Sequence, residues 1–176
     1  MTANTLITRL DARDRQLFLR WCLLTPRVRA RRFWSFITHL GGATSSITAV
    51  LLPLRADGSM GTAARYAAAM LVISHLIVQL VKRTVGRPRP SRHVQRALIT
   101  EPDRFSFPSG HAAAAMSIAL GYAVVFPSLA PALILLAVAI GASRVFLGVH
   151  YPGDVLIERQ ARPSRPRHSP ARGRAP

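Results

Sequence analysis

Three short stretches of this chain hold residues whose types and spacing could do chemistry. Lys82 precedes Arg89-Pro90 by six intervening residues. Pro108, Ser109, Gly110 and His111 are consecutive. Ser143-Arg144 is followed after five residues by His150, and after three more by Asp154. Together these supply three cations, two histidines and a carboxylate, most of them at the ends of strongly apolar segments. Charge at a membrane-helix end is costly unless it has a use. The use that suits this set is holding a phosphate and transferring it to histidine.

The chemistry follows from the residue types. A phosphate ester carries negative charge on its non-bridging oxygens, and transfer requires those oxygens to be held. Lys82, Arg89 and Arg144 can hold them without a metal ion, so no metal and no cofactor is expected. Arginine offers a planar fork to two oxygens at once. Ser109 and Gly110 stand where an apolar segment begins, and free N–H groups at a helix start bind anions. Of the two histidines, His150 is the expected nucleophile. A carboxylate four residues on, Asp154, can accept a hydrogen bond from one ring nitrogen and leave the other free to attack. His111 is then the general acid for the leaving group and the base for water in a second step. Pro152 and Gly153 make the intervening stretch a turn, and Asp154 is expected to cap a helix after it.

These residues need elements to position them. At 176 residues the chain is one domain at most. Its net charge of +17 suits a nucleic-acid binder, but 49% of the residues are apolar and they sit in long blocks. A basic membrane protein explains both facts, so nucleic acid is not an expected partner; membrane lipids are. Cys22 is the single cysteine, which excludes an internal disulfide and a cysteine-based metal site. Residues 5–24 mix Leu6, Leu10, Leu17 and Trp21 with Asp11, Asp14 and four arginines. That pattern predicts an amphipathic helix on a membrane surface. The N-terminus lacks the apolar core of a signal peptide. Four apolar spans are expected, at about 33–54, 62–82, 109–126 and 131–149. Trp34 starts the first like an interfacial anchor. Four crossings bring all three motifs to one membrane face. The expectation is an all-α membrane bundle over 1–157 with a disordered basic tail over 158–176.

These motifs resemble the signature of the type 2 phosphatidic acid phosphatase superfamily, K-x6-RP, PSGH and SR-x5-H-x3-D. All three match in order, without substitution, between Lys82 and Asp154. The resemblance implies roles for Lys82, Arg89, Ser109, Gly110, His111, Arg144, His150 and Asp154 that agree with the readings above, and structural roles for Pro90 and Pro108. The membrane branch of the family dephosphorylates lipid phosphates and isoprenoid diphosphates, which implies phosphatidate, phosphatidylglycerol phosphate or undecaprenyl diphosphate as substrate class. A lipid phosphotransferase and an inactive lipid-binding remnant are the alternatives.

One feature departs from the family pattern. Members continue past the aspartate with another apolar helix. Here Val155, Leu156 and Ile157 begin one, and an Arg-, Pro- and Ala-rich stretch follows, as a shifted reading frame in a GC-rich gene could produce. The family fold short of one helix is expected. Arginines crowd the motif face, which the positive-inside rule places in the cytoplasm; many bacterial relatives act on the outer face of the inner membrane, and the two warrants conflict. His39 and His75 are read as structural groups at helix contacts. Arg83, Arg92, Arg96 and Arg104 are read as headgroup or solvent contacts. Arg87, two residues before Arg89, is open between the two roles.

Overall fold

The computed structural model describes residues 12–21, 28–90 and 105–156. Among them every regular element is helical, and one isolated bridge pairs Pro88 with Phe105. A first helix, α1, covers 12–21. It is followed by α2 (Val28–Leu40), α3 (Ala43–Leu51), α4 (Gly58–Val85), α5 (Gly110–Val125), α6 (Ala130–Phe146) and the short α7 (Pro152–Leu156). Residues 5–11 and 22–24 of the expected surface helix lie outside the described residues, as do Cys22, the loop 91–104 and the tail 158–176.

The helix boundaries have local causes. Gly86 ends α4 in the left-handed conformation (φ 60°), and its N–H bonds the Lys82 carbonyl at 3.2 Å. Pro88 and Pro90 follow and prevent the helix from resuming. Pro108 precedes α5, and proline near the start of α6 suits a helix N-terminus. The expected span at 33–54 is a pair, α2 and α3, broken at Gly41–Gly42 and bent by 43°. A β-carbon at Gly41 would sit 2.4 Å from Ile140 Cγ2, so glycine is what lets the break approach α6.

Two helices are long and apolar enough to cross a membrane, Gly58–Val85 and Pro127–Phe146. The bent pair makes three if it counts as one span, and Gly110–Val125 is a shorter apolar helix. Leu76, Leu80 and Leu135 are exposed on the outside of the bundle, where lipid replaces water as solvent. Inside, the helices meet through small residues: Ala63, Ala64 and Ala67 on α4, Ala115 and Ala119 on α5, Ala137 on α6. The tightest crossing sets Gly121 against Ala67, where an added β-carbon would lie 2.4 Å from the Ala67 Cα.

That crossing also fixes register. At 1.5 Å per residue, Lys82 stands about 22 Å and His111 about 15 Å from it. The bridge between Pro88 and Phe105 ties the end of α4 to the approach to α5, so both residues lie toward the same end of the bundle. The large buried side chains gather there too. Arg144, Phe107, Leu147 and His150 are each under 2% exposed. Trp34, read as an interfacial anchor, stacks on Phe146 at 4.4 Å, and Trp21 of α1 stacks on the same ring at 5.4 Å. His39 and His75 are on exposed faces. His39 Nδ1 lies 2.5 Å from the Ser35 carbonyl and His75 Nε2 3.5 Å from Gln79 Nε2, so both face neighbours in their own helices rather than across a helix contact.

Gly121→Ala should separate α4 from α5, because the obstructing atoms are backbone. Overpacking of this kind costs about 1–3 kcal/mol. Thermal unfolding in detergent should show a lowered Tm for Gly121→Ala and little change for Gly110→Ala, whose β-carbon would meet nothing within 4 Å. Equal midpoints for the two variants would contradict this account of the packing.

Candidate active site

The end of α6 explains the spacing of the third motif. Leu147 N–H bonds the Ser143 carbonyl at 2.9 Å, and Gly148 N–H bonds the Val145 carbonyl at 3.0 Å. Gly148 is left-handed (φ 80°), so the chain turns back over the helix end. The N–H groups of Val149 and His150 then both bond the Arg144 carbonyl, at 3.1 and 3.2 Å. Five residues are the length of this reversal. It carries His150 beside the arginine that precedes it and buries the imidazole to 1% exposure.

Two edges of that imidazole face opposite charges. Arg89 Nη1 donates to His150 Nε2 at 3.0 Å and to the Val149 carbonyl at 3.1 Å. Nε2 therefore accepts, which puts the neutral ring's proton on Nδ1. Nδ1 lies 3.6 Å from Asp154 Oδ2, an electrostatic contact longer than a hydrogen bond. Asp154 does not cap α7 from in front of it. It lies in the first turn, and its Oδ2 reaches back to accept from the Tyr151 N–H at 2.8 Å.

Burial and charge set the titration of this pair. Burial is the main cause holding His150 below its ordinary value; Asp154 opposes it, and Arg144 and Arg89 add to the lowering. For Asp154, burial acts to raise the carboxyl, but His150 and Arg87 more than offset it and hold it below the ordinary range.

The other motif residues assemble around this pair. The Ser109 N–H donates to the Asp154 backbone carbonyl at 3.0 Å, which joins the second motif to the third. Ser109 sits at the N-cap of α5 but does not cap it. Its Oγ is buried and has no hydrogen-bond partner among the described residues. Gly110 opens α5 with clear space where a side chain would be. Arg144 is buried, and its Nη1 donates to Thr38 Oγ1 of α2 at 2.8 Å. Direct contacts thus join Arg89, Ser109, Arg144, His150 and Asp154. Lys82 is buried in the last turn of α4 and His111 is half-buried in the first turn of α5, beside the Gly41–Gly42 break.

Comparison with known proteins decides the family. Residues 63–157 match the model of the PAP2 superfamily, more than half of the chain. The chain belongs to this superfamily. Among PAP2 relatives, lipid A 1-phosphatase of Rhizobium etli is 34% identical over 92 residues, covering 49% of this chain and 40% of that protein. Decaprenylphosphoryl-5-phosphoribose phosphatase of Mycobacterium tuberculosis is 38% identical over 87 residues, 48% of this chain and 47% of that protein. The matches therefore span less than half the length of these curated relatives. The PAP2 fold is shared with a transmembrane phosphatidylglycerolphosphate phosphatase from Bacillus subtilis (TM-score 0.67, 24% identity, 84% of this chain and 77% of that one). It is shared also with LpxE of Aquifex aeolicus (TM-score 0.65, 23% identity, 80% and 84%).

Three residues around the PAP2 motifs were not singled out as part of the site from sequence. Thr38 holds Arg144. Arg87, left open above, donates to Asp154 Oδ1 at 2.5 Å and to Asp14 Oδ2 at 2.7 Å. Asp14, read as part of the polar face of a surface helix, is only 5% exposed. The Arg-x-Arg spacing was the available signal for Arg87, since extended chain directs alternate residues to one side. Nothing in the local sequence marks Thr38 or Asp14.

The lowered titration of His150 has a consequence for stability. Between its ordinary value of about 6.5 and its folded value, the unfolded chain binds a proton that the folded chain does not. Stability is therefore full above about pH 6.5 and declines as pH falls through that window. The loss from Asp154 comes later, below the ordinary carboxylate value near 3.9. Tm measured from pH 7.5 to 4.5 should fall less steeply in His150→Gln than in the parent chain. Parallel slopes would show that His150 is not the group responsible.

Proposed function

We propose that this chain is a membrane lipid phosphatase that works through a phosphohistidine on His150. The observation that carries the reading is the orientation of the buried imidazole, with Nε2 toward Arg89 and Nδ1 toward Asp154. Nε2 has the lone pair, and the carboxylate stands where positive charge develops on the ring as it attacks.

In the first step the Nε2 lone pair forms a bond to phosphorus as the bond from phosphorus to the lipid oxygen breaks. His111 supplies the proton that the departing oxygen needs. Arg89 transfers its hydrogen bond from Nε2 to a phosphate oxygen, and Lys82, Arg144 and the Ser109 hydroxyl hold the others. In the second step His111 takes a proton from water, whose oxygen attacks phosphorus. The phosphorus–nitrogen bond breaks, and inorganic phosphate leaves. Ser109 Oγ fits this role because it is buried and has no hydrogen-bond partner among the described residues.

A lipid substrate fits the surroundings. An apolar groove of about 1140 Å³ runs along α4, α5 and α6, lined by residues such as Met70, Ile77, Met116, Leu120 and Val138, with Ser109 and Asp154 also on its wall. A hydrocarbon tail in the groove would leave its phosphate at the motifs. The relatives act on lipid A, decaprenylphosphoryl-5-phosphoribose and phosphatidylglycerol phosphate, as their names state. We assign this chain to the same substrate class, a phosphomonoester or diphosphate on a lipid. The cell membrane of a bacterium suits the bacterial relatives.

Phosphate release from phosphatidate, phosphatidylglycerol phosphate and undecaprenyl diphosphate by the purified chain tests the reading. Activity should survive EDTA, fall with vanadate, and vanish in His150→Ala. Turnover in His150→Ala equal to that of the parent would refute the nucleophile. Ser109→Ala should separate function from folding. Its kcat/KM should drop by about 10²-fold, the scale for losing one positioned donor, while Tm holds or rises because the removed hydroxyl bonds none of the described residues.

A further inference from the structure

The motif residues do not account for the arrangement behind Asp154. Arg87 stands there with its guanidinium divided between two carboxylates. Nη1 bonds Asp154 Oδ1 at 2.5 Å and Nη2 bonds Asp14 Oδ2 at 2.7 Å. The side chains are 12% exposed for Arg87, 6% for Asp14 and 0% for Asp154, so these are not surface ion pairs. Arg87 and Arg89 flank Pro88 in extended chain, so one tripeptide grips both members of the dyad. Arg89 holds His150, and Arg87 holds Asp154.

We propose that Arg87 and Asp14 are positioning residues for the Asp154–His150 pair, which makes helix α1 a working part of the reaction centre. The proposal rests on His150 as nucleophile. Asp154 has two oxygens to place. Arg87 occupies Oδ1, and this sets the carboxylate's rotation so that Oδ2 faces Tyr151 N–H and His150 Nδ1. Asp14 acts on the same turn from the other side. Its Oδ1 accepts from the Gly153 N–H at 2.7 Å, in the stretch that separates His150 from Asp154. A β-carbon at Gly153 would lie 2.8 Å from Asp14 Oδ2, so glycine is what admits the carboxylate.

The rest of α1 faces the same loop. Phe18, four residues after Asp14 and so on the same helix face, packs edge-on against Tyr151 with centroids 5.4 Å apart. The Arg87 guanidinium lies 4.2 Å from the centre of that Tyr151 ring. Trp21, three residues further, stacks on Phe146. The face of α1 that carries Asp14, Phe18 and Trp21 thus seats a charged residue and two aromatics against Arg87, Gly153, Tyr151 and Phe146.

Charge gives the arrangement its second effect. Asp14, Arg87 and Asp154 together carry one net negative charge, and the imidazole becomes positive as phosphorus is attacked. Without Asp14, the charge of Arg87 would offset that of Asp154. Among the described residues, the charged groups that bear on His150 are Asp154 on α7, Arg89 on the extended stretch and Arg144 on α6, with Arg87 on the extended stretch and Asp14 on α1 behind Asp154. Substitutions at Asp14 and Arg87 leave all the others in place, so the two changes should move His150 in opposite directions.

The test is the titration of the His150 imidazole, followed by NMR on the full chain in detergent, with His150→Gln identifying its resonance. Asp14→Asn keeps the shape and the Gly153 acceptor but removes a negative charge. It should lower the His150 midpoint by about half a unit or more. Arg87→Gln removes a positive charge and should raise it by a similar amount; Arg87→Lys should restore most of the parent midpoint. Phe18→Ala loosens the same docking contact without changing charge, and should lower Tm with the midpoint unmoved. With phosphatidate, Asp14→Asn and Arg87→Gln should each cut kcat at least tenfold while KM changes less than threefold. Midpoints unchanged in both charge variants, or shifted together in step with Tm, would overturn the proposal and reduce the contacts to a structural clamp. A His150→Ala protein that still turned over substrate would overturn the nucleophile reading, and the NMR midpoints would still decide the positioning of the pair.

Discussion

A carboxylate and an imidazole cannot both be taken out of water without partners, because an unpaired buried charge costs several kcal/mol. Asp154 is buried in full, and every oxygen it carries is engaged. Arg87 bonds Oδ1, the Tyr151 N–H bonds Oδ2, and the Ser109 N–H bonds the backbone carbonyl. Those three partners come from the stretch after α4, the turn before α7 and the start of α5. Satisfying this one residue therefore fixes how three separate pieces of chain meet. The small residues of the bundle then have a reason to be small. They let α4, α5 and α6 come close enough for their ends to converge on one carboxylate.

The site and the bundle are stabilised by different physics. Along the spans the contacts are among alanines and glycines, with large apolar residues turned outward. Association there depends on close packing, since lipid gives no hydrophobic drive. At the motif end the large buried groups include Arg144 and His150 beside Phe107 and Leu147, and the polar contacts are charge-assisted hydrogen bonds in a low-dielectric setting. Such contacts are strong when complete and costly when one member is lost. The stacked rings of Trp21, Trp34 and Phe146 stand at the same end of α6.

Much of this was legible in the sequence, for a physical reason. The motif residues announce themselves by charge within apolar text, and helix ends by glycine and proline. The helical class follows from those signals, and a helix covers 12–21 of the stretch 5–24 in which one was expected. The break at Gly41–Gly42 was visible as small residues, but its 43° bend was not, because it depends on Ile140 lying opposite. Asp14 and Thr38 were illegible for the same reason. Asp14 looks like any acidic residue on an amphipathic helix, and only a partner 139 residues away reveals its use. Thr38 bonds an arginine 106 residues away. Local pattern contains no information at that range.

The same separations bear on how the site exists at all. Arg89 meets His150 across 61 residues, and Arg87 meets Asp154 across 67. None of these contacts can form within a helix or a hairpin. Each closes a long loop whose entropy is lost before the contact is gained. Packing of α4 on α5 must therefore contribute the closure, and the polar contacts only select among arrangements that the packing already permits. Placement by helix ends serves that order of events. A residue at a helix terminus is moved by the whole rod, so one crossing such as Ala67 on Gly121 sets the position of Lys82 and His111 together. Precision at the motif end is thus inherited from contacts among side chains too small to do any chemistry themselves.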